Sequence, residues 1–147
     1  MSPSLAITGV FDGFKELEDR LYILANLGVD PEEIRAVLLP GAELIANAWR
    51  AKVPRPGDNH PYATGQYRDS IQVAPSDSWE EGNFIGLDIF TDAVNEEDGF
   101  NYPEALEFGT SRMAAQPSAQ PAFDENVDEA LALSAKALDA LIAARTA

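Results

Sequence analysis

Cysteine is absent from this 147-residue chain, and histidine occurs once, at His60. Disulfide stapling and thiol chemistry are therefore excluded, and too few nitrogen or sulfur ligands remain for a structural zinc site. A lone histidine, set between Asn59 and Pro61 in a proline-rich stretch, reads as a solvated loop residue. With no Gly-x-Ser-x-Gly element beside it, no nucleophilic triad is expected. Neither a Gly-x-x-x-x-Gly-Lys-Ser/Thr nor a Gly-x-Gly-x-x-Gly pattern occurs, so nucleotide-driven activity has no support. No apolar run reaches eighteen residues and no basic-then-apolar leader opens the chain, so neither a membrane span nor a secretory signal is expected, and the mature protein is read as this chain. Cations are scarce: 10 Lys and Arg stand against 25 Asp and Glu, a formal charge of −15. That balance repels phosphate backbones and anionic lipid over most of a surface, and its simplest meaning is solubility.

What is present suits one domain over 1–147, with residues 1–10 as an arm, since 46% apolar residues supply a real core. Within the arm, residues 5–10 form a short apolar stretch, a strand or a frayed end. Phe11, Phe14, Leu17, Leu21, Leu24 and Ala25 then recur at three- and four-residue steps, one face of a helix ending near Gly28. Asp30-Pro31-Glu32-Glu33 is a second helix start, with Asp30 as N-cap, Pro31 in the first turn and Glu33 placed to reach back as in a capping box. Ile34, Val37, Leu38, Leu44, Ile45, Ala48 and Trp49 continue its apolar face. Pro40-Gly41 predicts a kink or a break near 38–41, because Pro40 removes a donor and crowds the carbonyl of Ala36. From Val53 to Pro61 three prolines in nine residues mark a semi-rigid loop.

Residues 70–76 and 83–90 read as the strands of an antiparallel hairpin, joined by a polar, acidic turn. Residues 92–101 form an acidic loop. Its spacing fails the EF-hand template, because placing Asp98-Gly99 at positions five and six puts Val94 at position one and Ala105 at position twelve. An irregular calcium site stands there against a plain solvated loop. Finally Phe123, Val127, Ala130, Leu131, Leu138, Leu141 and Ile142 trace one face of a helix from about 121 to 145.

The densest local signal runs from Tyr102 to Phe123. Pro103 is tolerated in a first helical turn, and Glu104 places negative charge at the positive end of the helix dipole. A helix of one or two turns follows, with Leu106 and Phe108 as apolar anchors and Gly109 as its left-handed stop. Pro117 and Pro121 hold the next residues extended, and Pro121 opens the last helix.

This stretch resembles the Tyr-Ala-x-x-x-Glu-Phe-Gly-Thr element, and then the Gln-Pro-x-x-x-Pro-Ala element followed by a helix, of the gene-product-ten-like tail-component family of long-tailed bacteriophages. A second anchor lies upstream, where Thr64, Gly65, Arg68, Ser70 and Ile71 match that family's Thr-Gly-x-Leu-Arg-x-Ser-Ile. The resemblance covers about 95 residues, from the second helix through the last. Two departures stand out: Tyr67 replaces the usual leucine, and Ser118 stands where the family often places an aromatic after Gln-Pro. Family members are also frequently more basic.

The resemblance implies an α+β fold, a small antiparallel sheet packed against helices that include a long C-terminal one. It further implies a structural virion protein of a phage or prophage, a neck or head–tail connector component that forms a ring between head connector and tail. Tyr102, Glu107, Phe108, Gly109, Thr110, Gln116, Pro117 and Pro121 join the upstream anchor as motif positions whose roles are shape and subunit contact. On that reading no enzymatic activity, catalytic residue, metal or cofactor is expected. The partners are further copies of the chain and the head connector and tail proteins, with no membrane. The genome passes an acidic channel without sequence-specific binding. The place is the virion neck, after assembly in the bacterial cytoplasm. A tail terminator capping the tail tube is the alternative station, and an acidic calcium-binding or small-ligand module is the alternative of another class. Arg50, Lys52, Arg55 and Arg68, the one basic concentration, are candidates for contact with an acidic neighbour; otherwise the first two complement a helix C-terminus and the others are surface charges.

Overall fold

In a computed structural model of the chain, residues 5–7, 28, 30–53, 65–76 and 86–146 are described. The helix expected over 11–28, the proline-rich loop beyond Val53 with Arg55 and His60, the motif residue Thr64 and the hairpin turn at 77–85 lie outside them.

Asp30 caps the first helix, α1 (Pro31–Lys52), by accepting a hydrogen bond from the backbone N–H of Glu32 at 3.0 Å. Pro31 sits in the first turn, where its missing donor costs nothing. The capping box is not completed: Glu33 instead sends Oε1 to Arg145 at the far end of the chain. No break occurs at Pro40, and α1 runs on for 22 residues. Ala36 and Pro40 both lie on the exposed side, so water takes the carbonyl that loses its partner. The reason for Gly41 is packing. A Cβ there would stand 2.7 Å from the carbonyl oxygen of Ala130, so the glycine lets α1 close on the last helix.

That last helix, α4 (Ala119–Thr146), spans 28 residues, about 42 Å at the usual rise. It lies antiparallel to α1: Lys52 at the end of one meets Glu125 near the start of the other at 2.9 Å, Gly41 meets Ala130, and Glu33 meets Arg145. Ala119, Ala122, Ala130, Ser134 and Leu138 are its buried positions, three residues or a multiple of four apart, as follows from a helix with one covered face. The helix opens two residues earlier than Pro121, so Pro117 and Pro121 do not hold an extended segment between them, and Pro121 lies within the first turn.

Three strands make the sheet, in the order β1 (Leu5–Ile7), β3 (Leu87–Thr91), β2 (Gln72–Pro75), antiparallel throughout. Central β3 pairs Ile89 with Ile7 on one side and with Val73 on the other. At Leu5–Ile7 the strand alternative for the N-terminal segment is the correct one. Ile89 and Thr91 are buried on the face toward the helices. Thr91 is tolerated there because its hydroxyl bonds Ser70 and accepts the N–H of Ala93. The first hairpin strand is shorter than the expected 70–76, since residues 66–70 form a short helix, α2 (Gln66–Ser70), entered through Gly65 at φ +89°, and β3 runs one residue past the expected end at 90. A further short helix, α3 (Tyr102–Phe108), leads into the loop before α4. The fold is thus α+β, a small antiparallel sheet covered by helices.

Candidate functional site: a pinned clamp at the start of the last helix

Asn101 starts α3 by a reciprocal arrangement: its Oδ1 accepts the Glu104 N–H at 3.2 Å, and its amide donates to Glu104 Oε2 at 3.2 Å. Seven residues then present Tyr102, Pro103, Ala105, Leu106 and Glu107 inward and leave Glu104 and Phe108 outward. Positions 104 and 108 are one turn apart and so share a face. Leu106 is the anchor, 2% exposed, whereas Phe108 is not an anchor at all, being 70% exposed. Gly109 closes the helix at φ +76° and donates to the Ala105 carbonyl at 2.8 Å. A Cβ there would stand 2.8 Å from the backbone nitrogen of Ala115, so both the dihedral and the space call for glycine.

The loop after Gly109 is tied at both ends. Thr110 and Met113 exchange backbone hydrogen bonds, and Gln116 N–H donates to the Leu106 carbonyl at 2.6 Å. The decisive tie is Glu107. Although only 6% exposed, its carboxylate accepts three backbone N–H groups, from Ser118 and Ala119 at 2.9 Å each and from Gln120 at 3.1 Å. Those are donors that the first turn of α4 cannot satisfy within the helix. A negative group also suits the positive end of a helix dipole. Glu107 therefore fixes where α4 begins and how it leaves the loop.

Under this cap lies a buried polar knot. Trp49 of α1 directs its indole N–H between the Tyr67 hydroxyl at 3.1 Å and Ser118 Oγ at 3.2 Å, and those two oxygens stand 3.3 Å apart. Tyr67 meets Trp49 edge to face at 6.1 Å and Tyr102 at 6.0 Å, and the Tyr102 hydroxyl donates to Gln66 Oε1 at 2.7 Å. Burial pushes the Tyr67 phenol up, opposed by its hydrogen bonds to Ser118 and Trp49. Burial, then the neighbouring Tyr67 and Glu96, push Tyr102 up to about 12. Both phenols thus keep their protons at neutral pH and act as fixed hydrogen-bonding groups.

The two sequence anchors, some forty residues apart, meet here. Tyr67 and Ile71 on one side and Tyr102 and Leu106 on the other belong to one buried core, while Gly65 leads into α2, Ser70 bonds the Tyr67 carbonyl, Glu107 holds the backbone that carries Ser118 and Gly109 closes α3. Thr110, Gln116 and Pro117 lie on the exposed rim, and Pro121 is half-buried. Of the basic candidates, Arg50 is engaged within the chain, with Asn47 Oδ1 at 2.7 Å and the Ile71 carbonyl. Lys52 is paired with Glu125, and Arg68 is half-buried on α2. Sequence reasoning missed Trp49 as a polar partner, because a tryptophan on an apolar helix face reads as core. It also missed the cap, whose donors lie eleven to thirteen residues beyond Glu107 and leave no short-range spacing to read.

In the acidic loop the side-chain oxygens hold backbone: Asn95 Oδ1 accepts the Glu97 N–H at 2.8 Å and Asp98 Oδ1 the Phe100 N–H at 2.9 Å. Among the described residues no group of three His, Cys, Asp or Glu is arranged to hold a metal ion, and no helix is long and apolar enough to cross a membrane. Comparison with family models, curated proteins and solved structures finds no match.

Proposed function

We propose that this chain is a structural component of a tailed-phage particle, a neck or head–tail connector protein that works as a ring of identical copies between head connector and tail. The reading starts from the motif resemblance at 64–71 and 102–123. One observation carries it further: the two positions at which the chain departs from the family pattern touch each other, the Tyr67 hydroxyl lying 3.3 Å from Ser118 Oγ. A side chain larger than leucine at 67 faces one smaller than an aromatic at 118, and their hydroxyls meet each other and the Trp49 indole N–H, so an apolar contact is exchanged for a polar one. Independent departures have no reason to meet in one hydrogen-bonded contact; departures within a shared fold do. The motif residues also serve as a frame: Glu107 and Gly109 are occupied in fixing backbone, which is the work a mechanical ring subunit requires.

Localisation by cryo-microscopy of particles from the virus or prophage that encodes the chain tests this. Density for a ring of this fold between head and tail supports the reading, and density at the distal end of the tail tube assigns the terminator station. Particles that are complete without the chain overturn it.

A further inference from the structure

Between Phe108 and Phe123 the chain carries no Asp or Glu and a single cation, Arg112, although acids make up 25 of its 147 residues. This acid-free stretch is also outward-facing: every residue from 108 to 117 is exposed except the half-buried Gly109 and Met113. At its edge Phe108 holds an aromatic ring in water, 70% exposed, on a helix whose other faces are buried. The presentation is rigid, since Gly109, the Thr110–Met113 pair, Gln116 and the Glu107 cap fix the backbone on both sides. A preformed loop loses little freedom on docking.

A second preformed loop has the opposite character. Asn95 and Asp98 fold residues 95–100 by side-chain hydrogen bonds, and Asn95 N–H closes the loop on the Phe100 carbonyl at 2.9 Å. It exposes Glu96, Glu97 and Asp98 together with Phe100, which is 44% exposed. One loop therefore offers an aromatic ring with a guanidinium, the other an aromatic ring with three carboxylates.

We infer that these are the two halves of one head-to-tail contact, in which the Phe108–Arg112 face of one copy docks on the Glu96–Phe100 loop of the next. The inference rests on the ring-forming reading above and names its interface. Like faces would place cation on cation or acid on acid, so the contact is between unlike patches, and unlike patches propagate around a ring. Arginine is suited to the role because its planar fork bonds carboxylates and stacks on aromatic rings. The scarcity of acid matters equally: in a chain of charge −15, Glu104 beside Phe108 is the one carboxylate between 102 and 123 that faces outward, so another acidic copy meets little like-charge repulsion there.

Sedimentation velocity of the full chain, from micromolar to millimolar concentration at low and high salt, tests the contact. The wild type is expected to associate, less so in high salt. Phe108→Asp and Arg112→Glu are each expected to weaken association on the order of tenfold or more, with unchanged near-ultraviolet circular dichroism because both side chains are exposed. Phe108→Ser stands in if the aspartate disturbs α3. Combining Arg112→Glu with Glu96→Arg and Glu97→Arg, which leaves the loop-fixing Asp98 in place, is expected to regain association. A wild type that stays monomeric throughout, variants that associate as tightly as wild type, or a swapped chain that regains nothing would each overturn the contact. Those results leave the proposed function standing, because it fails only if the chain is absent from the particle.

Discussion

The two ends of the α1–α4 pair are built on opposite principles. Where α1 ends and α4 begins, Trp49, Tyr67, Glu107 and Ser118 bury polar atoms in mutually satisfied hydrogen bonds. Where α1 begins and α4 ends, Ile34, Val37 and Leu138 form a small apolar cluster, with Glu33–Arg145 and Glu32–Arg35 pairs at its rim. There Glu33 Oε2 and Arg35 Nε are enclosed without a hydrogen-bond partner. Apolar contact tolerates sliding and repacking, whereas a buried polar knot is satisfied in one geometry only. The clamp end therefore carries the specificity of the fold, and the other end contributes adhesion with loosely tuned charges.

The comparison breaks most visibly at Glu107. Glu107→Ala leaves three helix-start donors without their acceptor, an expected loss of about 3–4 kcal/mol even after water enters. Chemical denaturation measures the loss, and amide exchange should localise it to the first turn of α4. Gly109→Val follows, at about 2–4 kcal/mol from a positive φ and a close backbone approach together. Its melting temperature should fall far more than that of His60→Ala. At the opposite end Arg145→Ala is expected to cost no more than about 1 kcal/mol, since both partners of that pair reach solvent. A loss at Arg145 equal to that at Glu107 would erase the distinction between the ends.

Much of this frame was legible locally. Asp30-Pro31 marks a helix start, Gly109 marks a stop, and the alternating apolar residues of the hairpin mark strands, because each of these signals acts within a few residues. What failed to read is long-range. Pro40-Gly41 looks like an interruption until α4 is seen lying against Gly41. Phe108 looks like an anchor because aromatic residues are usually covered, and only the direction of α3 shows that it faces outward. Pro121 looks like a helix opening because the true start at Ala119 is fixed by a carboxylate from another element. The short helix α2 is hidden by a sequence that suits either a turn or a strand entry. Ser118, small and polar in a stretch that reads as loop, is a buried partner of Trp49.

The clamp end is held by one buried contact in which Tyr67, Ser118 and Trp49 satisfy one another. A double-mutant cycle on Tyr67→Leu and Ser118→Phe, followed by urea denaturation, tests it most directly. Each single change is expected to destabilise, the first by leaving a gap and orphaning polar groups, the second by overfilling the site. The pair together still leaves the Trp49 N–H without its two oxygens but should lose less than the sum of the singles, with a coupling of about 1–3 kcal/mol between the two positions. Strictly additive losses would contradict the account.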